Sequence, residues 1–408
     1  MLTSHKAPEY QKAGDITSPK GFAAAGLHAG LKYKRNDLGV IYSETPASSA
    51  AVYTLNHFQA APLKVTKNSI EEEGKLQAIV VNSAFANACT GKQGDDDAFA
   101  MRKHMAQHLS IPEHYVAVAS TGVIGEYLPL DKIKTGIDRL APKPTLEAAD
   151  DFNRAILTTD LIVKKTCWTM EIDQKEVTIA GAAKGSGMIH PNMATMLSFV
   201  TTDANISPQA LHQALREVTD KTFNRITVDG ETSTNDMVLV MANGHAENDE
   251  LTQDHPEWET FVEGLRQTSE DLAKMIARDG EGATKLIEVQ VDGAESEQEA
   301  GEVAKKIVGS DLVKTAVYGA DANWGRIIQA IGHSNAKVDP DAVDIWIGPF
   351  QVLKESRPLP FSEEAATEYL KSEQVTIKVD LNVGHANAKA WGCDLTYDYI
   401  KINASYRT

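Results

Sequence analysis

Short β-branched runs alternate with stretches of helical periodicity along the whole chain, and this alternation confines it to a mixed α/β architecture. Runs at 76–82, 114–120, 166–172, 175–181, 196–201, 236–242, 284–291, 343–347 and 374–382 read as strands. Amphipathic stretches lie between them. Ser207 can cap a helix that Pro208 enters in its first turn, with Leu211, Ala214, Leu215 and Val218 as the apolar stripe. Residues 257–278 repeat the pattern, with Trp258, Phe261, Val262, Leu265, Leu272, Met275 and Ile276 on one face. Several strands are adjacent in sequence, which predicts a layered α/β sandwich rather than a strict βαβ array. No internal repeat and no low-complexity tract is visible. The candidate breaks are the Pro-rich 141–145 and the connector 354–362, neither long enough for a free linker.

The 408 residues are enough for two or three ordinary domains, and 42% hydrophobic with 24% charged residues predicts a buried core rather than disorder. Forty Lys and Arg stand against 57 Asp and Glu, a net charge of −17. Such a chain repels phosphate backbones and anionic membranes, so nucleic acid and lipid are not its expected partners. A local basic pocket for a small anion is compatible with that charge. No run approaches the roughly 18 apolar residues of a membrane helix. The N-terminal segment MLTSHKAPEYQKAGDI has neither a secretory signal's apolar run nor an Arg-rich organellar character, so the cytoplasm is the expected compartment. Cys89, Cys167 and Cys393 form no CxxC pair and read as small buried hydrophobes.

His104 and His108 stand four apart on an expected helix and could face one metal, yet Met105 occupies the place of a zinc-protease glutamate. Exposed histidines on an amphipathic helix are the plainer reading. The acidic run Asp95–Asp97 is expected to open the same helix, where carboxylates are favoured without any metal. KGSGMIHP at 184–191 has the Gly-x-Gly look of an anion-cradling loop, but it lacks the spacing of a P-loop and opens no helix. By itself it is an ordinary turn.

The segment 184–204, KGSGMIHPNMATMLSFVTTDA, carries more. A glycine loop and a proline lead into Ala194-Thr195, and an apolar run follows. A threonine there could attack the preceding carbonyl, convert the peptide to an ester and lose the upstream chain by hydrolysis. The freed α-amino group, with an ordinary pKa of about 7.7–8.0, would then serve as base beside the Thr195 hydroxyl. An Ala-Thr pair at a strand start is also a common sequence with no such chemistry.

This segment closely resembles the self-cleavage motif of the glutamate N-acetyltransferase (ornithine acetyltransferase) family of arginine biosynthesis. STGVIGEYLP (120–129), TTD (158–160), RDGEGATK (278–285), GADANWGRI (319–327) and WGCDLTYDYIKINASYRT (391–408) resemble that family's blocks in the same order. The resemblance spans essentially the whole chain, without a departure at the positions that would carry chemistry. It implies a sandwich of stacked β-sheets flanked by helices, cut between Ala194 and Thr195 into an α chain, 1–194, and a β chain, 195–408, which stay together as an α2β2 heterotetramer.

The resemblance further implies that Thr195 takes the acetyl group of N2-acetyl-L-ornithine as an ester and passes it to L-glutamate. Thr121 and Gly122 match the family's oxyanion hole, and Thr158, Lys184, Thr195, Glu281, Asn403 and Thr408 match its substrate positions. We expect Lys184 to meet a substrate carboxylate and Glu281 an ammonium group. No metal or organic cofactor is expected, although acetyl-CoA is a second acyl donor for some members. The rival reading is a self-processing N-terminal-threonine aminopeptidase or amidase that releases its acyl group to water. A metabolite-binding protein that never cuts itself is the non-enzymatic alternative.

Overall fold

The computed structural model describes residues 7–190 and 196–405. Nine strands form a first sheet: β1 (Glu9–Tyr10), β2 (Phe22–Leu27), β3 (Leu38–Tyr53), β4 (Lys75–Asn82), β5 (Val116–Ser120), β6 (Lys164–Ile172), β7 (Lys175–Lys184), β8 (Leu197–Thr202) and β10 (Met237–Ala242). Their order is β1-β6-β7-β8-β10-β3-β4-β5, with β2 beside the first half of β3. One apolar cluster joins Ala182, Phe199, Met237 and Leu239 of one half to Phe22, Ile41, Ile79 and Ala117 of the other. The two halves thus stack face to face, connected through the long strand β3.

Helices cover both outer faces. Helices Pro208–Lys221 and Trp258–Arg278 pack against β7, β8 and β10, with Leu211, Leu215, Phe261, Leu265 and Ile276 all buried. Helices Ala61–Glu73 and Gly91–Leu109 cover β4 and β5. Ser207 accepts a hydrogen bond from the Ala210 N–H, as its position predicts. The second sheet contains β9 (Ile226–Thr227), β11 (Leu286–Ala294), β12 (Asp344–Ile347), β13 (Phe350–Lys354), β14 (Arg357–Pro358), β15 (Gln374–Asp380) and β16 (Ala386–Cys393). Its own core includes helices Glu297–Val308 and Trp324–Ile331. Layered α/β architecture is therefore observed.

All nine expected strands are present, with 114–120 shortened by a 3-10 turn at Glu113–Tyr115. The strands that periodicity passes over have identifiable causes. In β2, FAAAGL, side chains are small because helix Leu146–Ala155 lies directly on the strand: a Cβ on Gly26 would sit 2.1 Å from the Asp151 carbonyl oxygen. In β3, the polar stretch 43–46 with Pro46 falls where its register with β4 shifts between Tyr42 and Ala47.

Four expectations need correction. Residues 141–145 are no domain break, because Lys143 bridges to Ala24 and Thr145 caps helix Leu146–Ala155. Residues 354–362 form part of the β13–β14 hairpin, and Ser362 caps the next helix. Asp95–Asp97 lie beyond the first turn of their helix, which begins at Gly91. Cys167 and Cys393 are buried, but Cys89 is exposed.

Residues on both sides of position 194/195 contribute to the first sheet. Strand β8 pairs antiparallel with β7 and parallel with β10, and β10 pairs antiparallel with β3. Two downstream strands therefore lie between two upstream ones. Phe199 of β8 is fully buried and meets Phe152 edge to face at a centroid distance of 5.8 Å. Phe199→Ala should cost about 3–5 kcal/mol of stability, read from the shift in urea unfolding.

Candidate active site

A cavity of about 170 Å3 opens where the C-terminal ends of β5 and β7 meet the N-terminal ends of β8 and β10. Thr121, Gly122, Thr158, Lys184, Glu281 and Asn403, six residues singled out from sequence, all line it. Ala194, Thr195 and Thr408 lie outside the described residues. Met196, one peptide bond after Thr195, belongs to the cavity wall.

Thr121 and Gly122 follow β5. The Thr121 N–H donates to the Asn82 carbonyl at 3.0 Å, and the Val123 N–H donates to the Ala84 carbonyl at 3.1 Å. The Gly122 N–H and the Thr121 hydroxyl remain without a partner among the described residues. Both residues matched to an oxyanion hole from sequence thus offer an unused donor to the cavity. Glycine is required at position 122: φ is +131°, and a Cβ would lie 2.2 Å from the Ala84 carbonyl. Asn235 Nδ2 then ties the strand end in place by donating to the Ala86 and Ser120 carbonyls at 2.6 and 2.8 Å.

Beneath the cavity is a buried charge triad that sequence did not reveal. Lys164 Nζ lies 2.7 Å from Asp160 Oδ1 and 2.6 Å from Asp279 Oδ2. Asp160 also accepts the Gly185 N–H at 2.6 Å and the Thr158 N–H at 2.9 Å. Burial opposes ionisation of Asp160, but Lys184 and Lys164 outweigh it and hold the carboxyl below the usual carboxylate range. The triad thereby fixes the segment bearing Thr158 against the end of β7 bearing Lys184.

Lys184 is only 8% exposed, and its side-chain ammonium makes no hydrogen bond or ion pair among the described residues. Burial pushes its pKa down, countered by Asp160. It is the one cation among the described lining residues, alongside Asp229, Glu231, Asp236 and Glu281. Glu281 Oε2 accepts from Asn403 Nδ2 at 2.8 Å. Gly187 makes room for that carboxylate, since a Cβ there would lie 2.4 Å from its carbon. A buried cation facing several carboxyls suits a small zwitterion carrying an ammonium group.

Asp229 clamps the loop that leads to residue 190, accepting the Met188 N–H at 2.7 Å and the Ile189 N–H at 2.9 Å. Tyr399 reaches the same carboxylate at 3.4 Å. His190 Nδ1 lies 2.9 Å from Thr227 Oγ1, and burial, aided by Lys305 and Lys306, pushes the imidazole down to about 4. Asp229, Tyr399 and the cluster Ser233–Asp236 were not anticipated. The signal for Asp229 and Ser233–Asp236 is the polar run DGETSTND at 229–236 beside an apolar strand, and Tyr399 falls within the C-terminal block 391–408.

His104 and His108 do not serve the cavity. His104 Nε2 pairs with Asp138 at 2.8 Å, and His108 Nε2 lies 2.7 Å from the Leu140 carbonyl oxygen. Among the described residues, no group of three or more His, Cys, Asp or Glu could hold a metal. Removing the triad's cation by Lys164→Met leaves two buried carboxyls facing each other. The substitution should lower stability by about 3–5 kcal/mol, measured by urea unfolding.

The ArgJ family matches residues 23–408. Proteins named arginine biosynthesis bifunctional protein ArgJ are 65% identical in Geobacillus kaustophilus, covering 97% of this chain and 96% of the relative, and 62% identical in Bacillus subtilis, covering 97% of each. A solved chain of the protein of that name from Bacillus halodurans is 61% identical and has a TM-score of 0.46, covering 46% of this chain and 98% of its own. Matched over nearly its whole length, the chain belongs to the ArgJ family.

Proposed function

We propose that this protein is the acetyl-transfer enzyme of arginine biosynthesis, moving the acetyl group of N2-acetyl-L-ornithine to L-glutamate. The observation that carries this reading is the convergence of six sequence-selected residues on one cavity whose wall continues into Met196. The names of its relatives support the same activity.

The active form is the chain cut between Ala194 and Thr195. The Thr195 hydroxyl oxygen attacks the acetyl carbonyl carbon while its proton passes to the Thr195 α-amino group. Negative charge then develops on the carbonyl oxygen. Two groups free to donate, the Thr121 hydroxyl and the Gly122 N–H, are suited to receive it. The acetyl–nitrogen bond breaks, the held proton goes to the leaving nitrogen, and ornithine departs from an acetyl ester on Thr195. Glutamate's amine attacks that ester, gives a proton back through the same base, and leaves as N-acetylglutamate.

Lys184 is the substrate carboxylate's partner and Glu281 that of an ammonium group, with Thr158, Asn403 and Thr408 completing the pocket. The chemistry calls for no metal or organic cofactor. The bifunctional naming of the relatives supports acetyl-CoA as a second donor to the same threonine. The two pieces stay associated, and we assign an α2β2 assembly on the family resemblance. A cytoplasmic location fits the substrates, and no helix among the described residues is long and apolar enough to cross a membrane.

Four measurements test this reading. Wild-type protein should run as two bands near half size on a denaturing gel, and Thr195→Ala as one full-length band. N-acetylornithine with glutamate should yield N-acetylglutamate; acetate with no N-acetylglutamate would instead mark a hydrolase. Thr121→Ala should lower kcat roughly a hundredfold through loss of one oxyanion donor, whereas Lys184→Met should weaken the apparent affinity for both substrates.

A further inference from the structure

The loop between β2 and β3, residues 28–37, carries positive charge that the reaction above does not use. Asp37 sets its shape: the carboxylate is fully buried and accepts the N–H groups of Ala29, Leu31 and Lys32 at 2.7–2.8 Å. His28 Nδ1 lies 3.0 Å from the same carboxylate. That negative charge is thus engaged inside the loop, while Tyr33, Lys34 and Arg35 are exposed, Tyr33 over 89% of its surface.

The loop reaches the cavity rim through two contacts. Arg35 Nη2 donates to the carbonyl of Thr158, a cavity-wall residue, at 2.8 Å. Lys32 Nζ donates to the adjacent Leu157 carbonyl at 2.5 Å and to Ser83 Oγ at 2.6 Å. Burial pushes the Lys32 ammonium down to about 7, and Arg35 and Lys184 push the same way, so the positive field runs from the loop into the site.

Two more exposed cations join from the side. Lys132 Nζ donates to the Gly30 carbonyl and Arg139 Nη1 to the His28 carbonyl, both at 3.4 Å. Lys34 Nζ lies 5.4 Å from the centroid of the Tyr33 ring. Lys34, Arg35, Lys132 and Arg139 therefore meet neutral groups, and none of them forms an ion pair among the described residues. Asp138, next to Arg139, pairs with His104 instead. In a chain of net charge −17 this is a local reversal of sign, suited to a polyanion.

The cavity bounds where such a ligand can lie. Its volume of about 170 Å3 admits an amino acid, but it is well under the roughly 300–1,000 Å3 of pockets that enclose larger ligands. A bulky polyanionic donor must keep its charged end at the rim and send in its acyl end. We propose that the basic rim formed by Lys34, Arg35, Lys132 and Arg139 docks the phosphate-bearing nucleotide end of acetyl-CoA, with the Tyr33 ring as a stacking surface for the base. This rests on the acetyl-Thr195 reading above. Sulfur is the leaving atom: the acetyl–sulfur bond breaks, the ester bond to the Thr195 oxygen forms, and the hydroxyl proton ends on the departing thiol. N-acetylornithine carries no phosphate and has no use for the rim.

The test sets acetyl-CoA against S-acetyl-N-acetylcysteamine, a thioester of the same acetyl group without phosphates. Wild type is compared with the double variant Lys34→Glu/Lys132→Glu. The variant should raise KM for acetyl-CoA about tenfold or more. Its kcat/KM with the truncated thioester and with N-acetylornithine should stay within about twofold of wild type. Adenosine 3′,5′-bisphosphate should compete with acetyl-CoA in wild type and lose potency in the variant, and added salt should weaken acetyl-CoA alone.

A KM for acetyl-CoA unmoved by the double reversal would overturn the proposal. So would equal losses with acetyl-CoA and the truncated thioester, and so would a wild type that uses N-acetylornithine but not acetyl-CoA. A wild type that uses no donor at all would overturn the acetyl-transfer reading itself, which separates that failure from this one. If the double variant does not fold, Lys34→Ala and Lys132→Ala decide singly. Each should raise KM for acetyl-CoA about threefold, and unchanged values in both would contradict the docking.

Discussion

The structure depends on one arrangement of strands, β7-β8-β10-β3, in which the two central members come from downstream of residue 195 and the outer two from upstream. Ladder hydrogen bonds and buried side chains on both faces hold β8 and β10 in that slot. A chain opened at 194/195 would lose one covalent bond and none of this pairing. The same interleaving brings the strand ends bearing Lys184, Met196 and Asp236 to one cavity. Stability and site geometry therefore have a common origin.

Charge inside the cavity is set by what lies beneath it. Lys164 bridges Asp160 and Asp279 and offsets one of their two charges, and both carboxylates also accept backbone N–H groups. The Lys184 ammonium has no hydrogen-bonded partner among the described residues, in surroundings that burial makes poor in screening. Such a cation interacts strongly with a carboxylate that enters. Glu281 and its neighbours repel a bare dianion and favour a ligand that also brings an ammonium group. In the proposed function, this local exception to the overall charge of −17 is what would select amino acids.

Much of this was legible in the sequence, for a physical reason. Strands buried on both faces, such as 236–242, are nearly continuous apolar runs, and helices at 207–221 and 257–278 display their stripes and caps plainly. The small-residue strands β2 and β16 were not legible, because their composition answers to helices packed closely above them rather than to β propensity. Thr121, Gly122, Lys184 and Glu281 were found through blocks of family resemblance, and periodicity would have passed over each. The Asp160–Lys164–Asp279 triad joins residues up to 119 positions apart and has no local signature.

The central claim is that the acetyl group rests on the side-chain oxygen of Thr195 between donor and acceptor. Purified enzyme incubated with N-acetylornithine alone, quenched in acid and digested, tests it by peptide mass spectrometry. The account predicts one added acetyl group on the peptide beginning Thr195-Met196-Leu197, lost when glutamate is supplied before the quench. An unmodified Thr195 peptide during steady turnover, or an acetyl group found on another residue and discharged by glutamate, would contradict it.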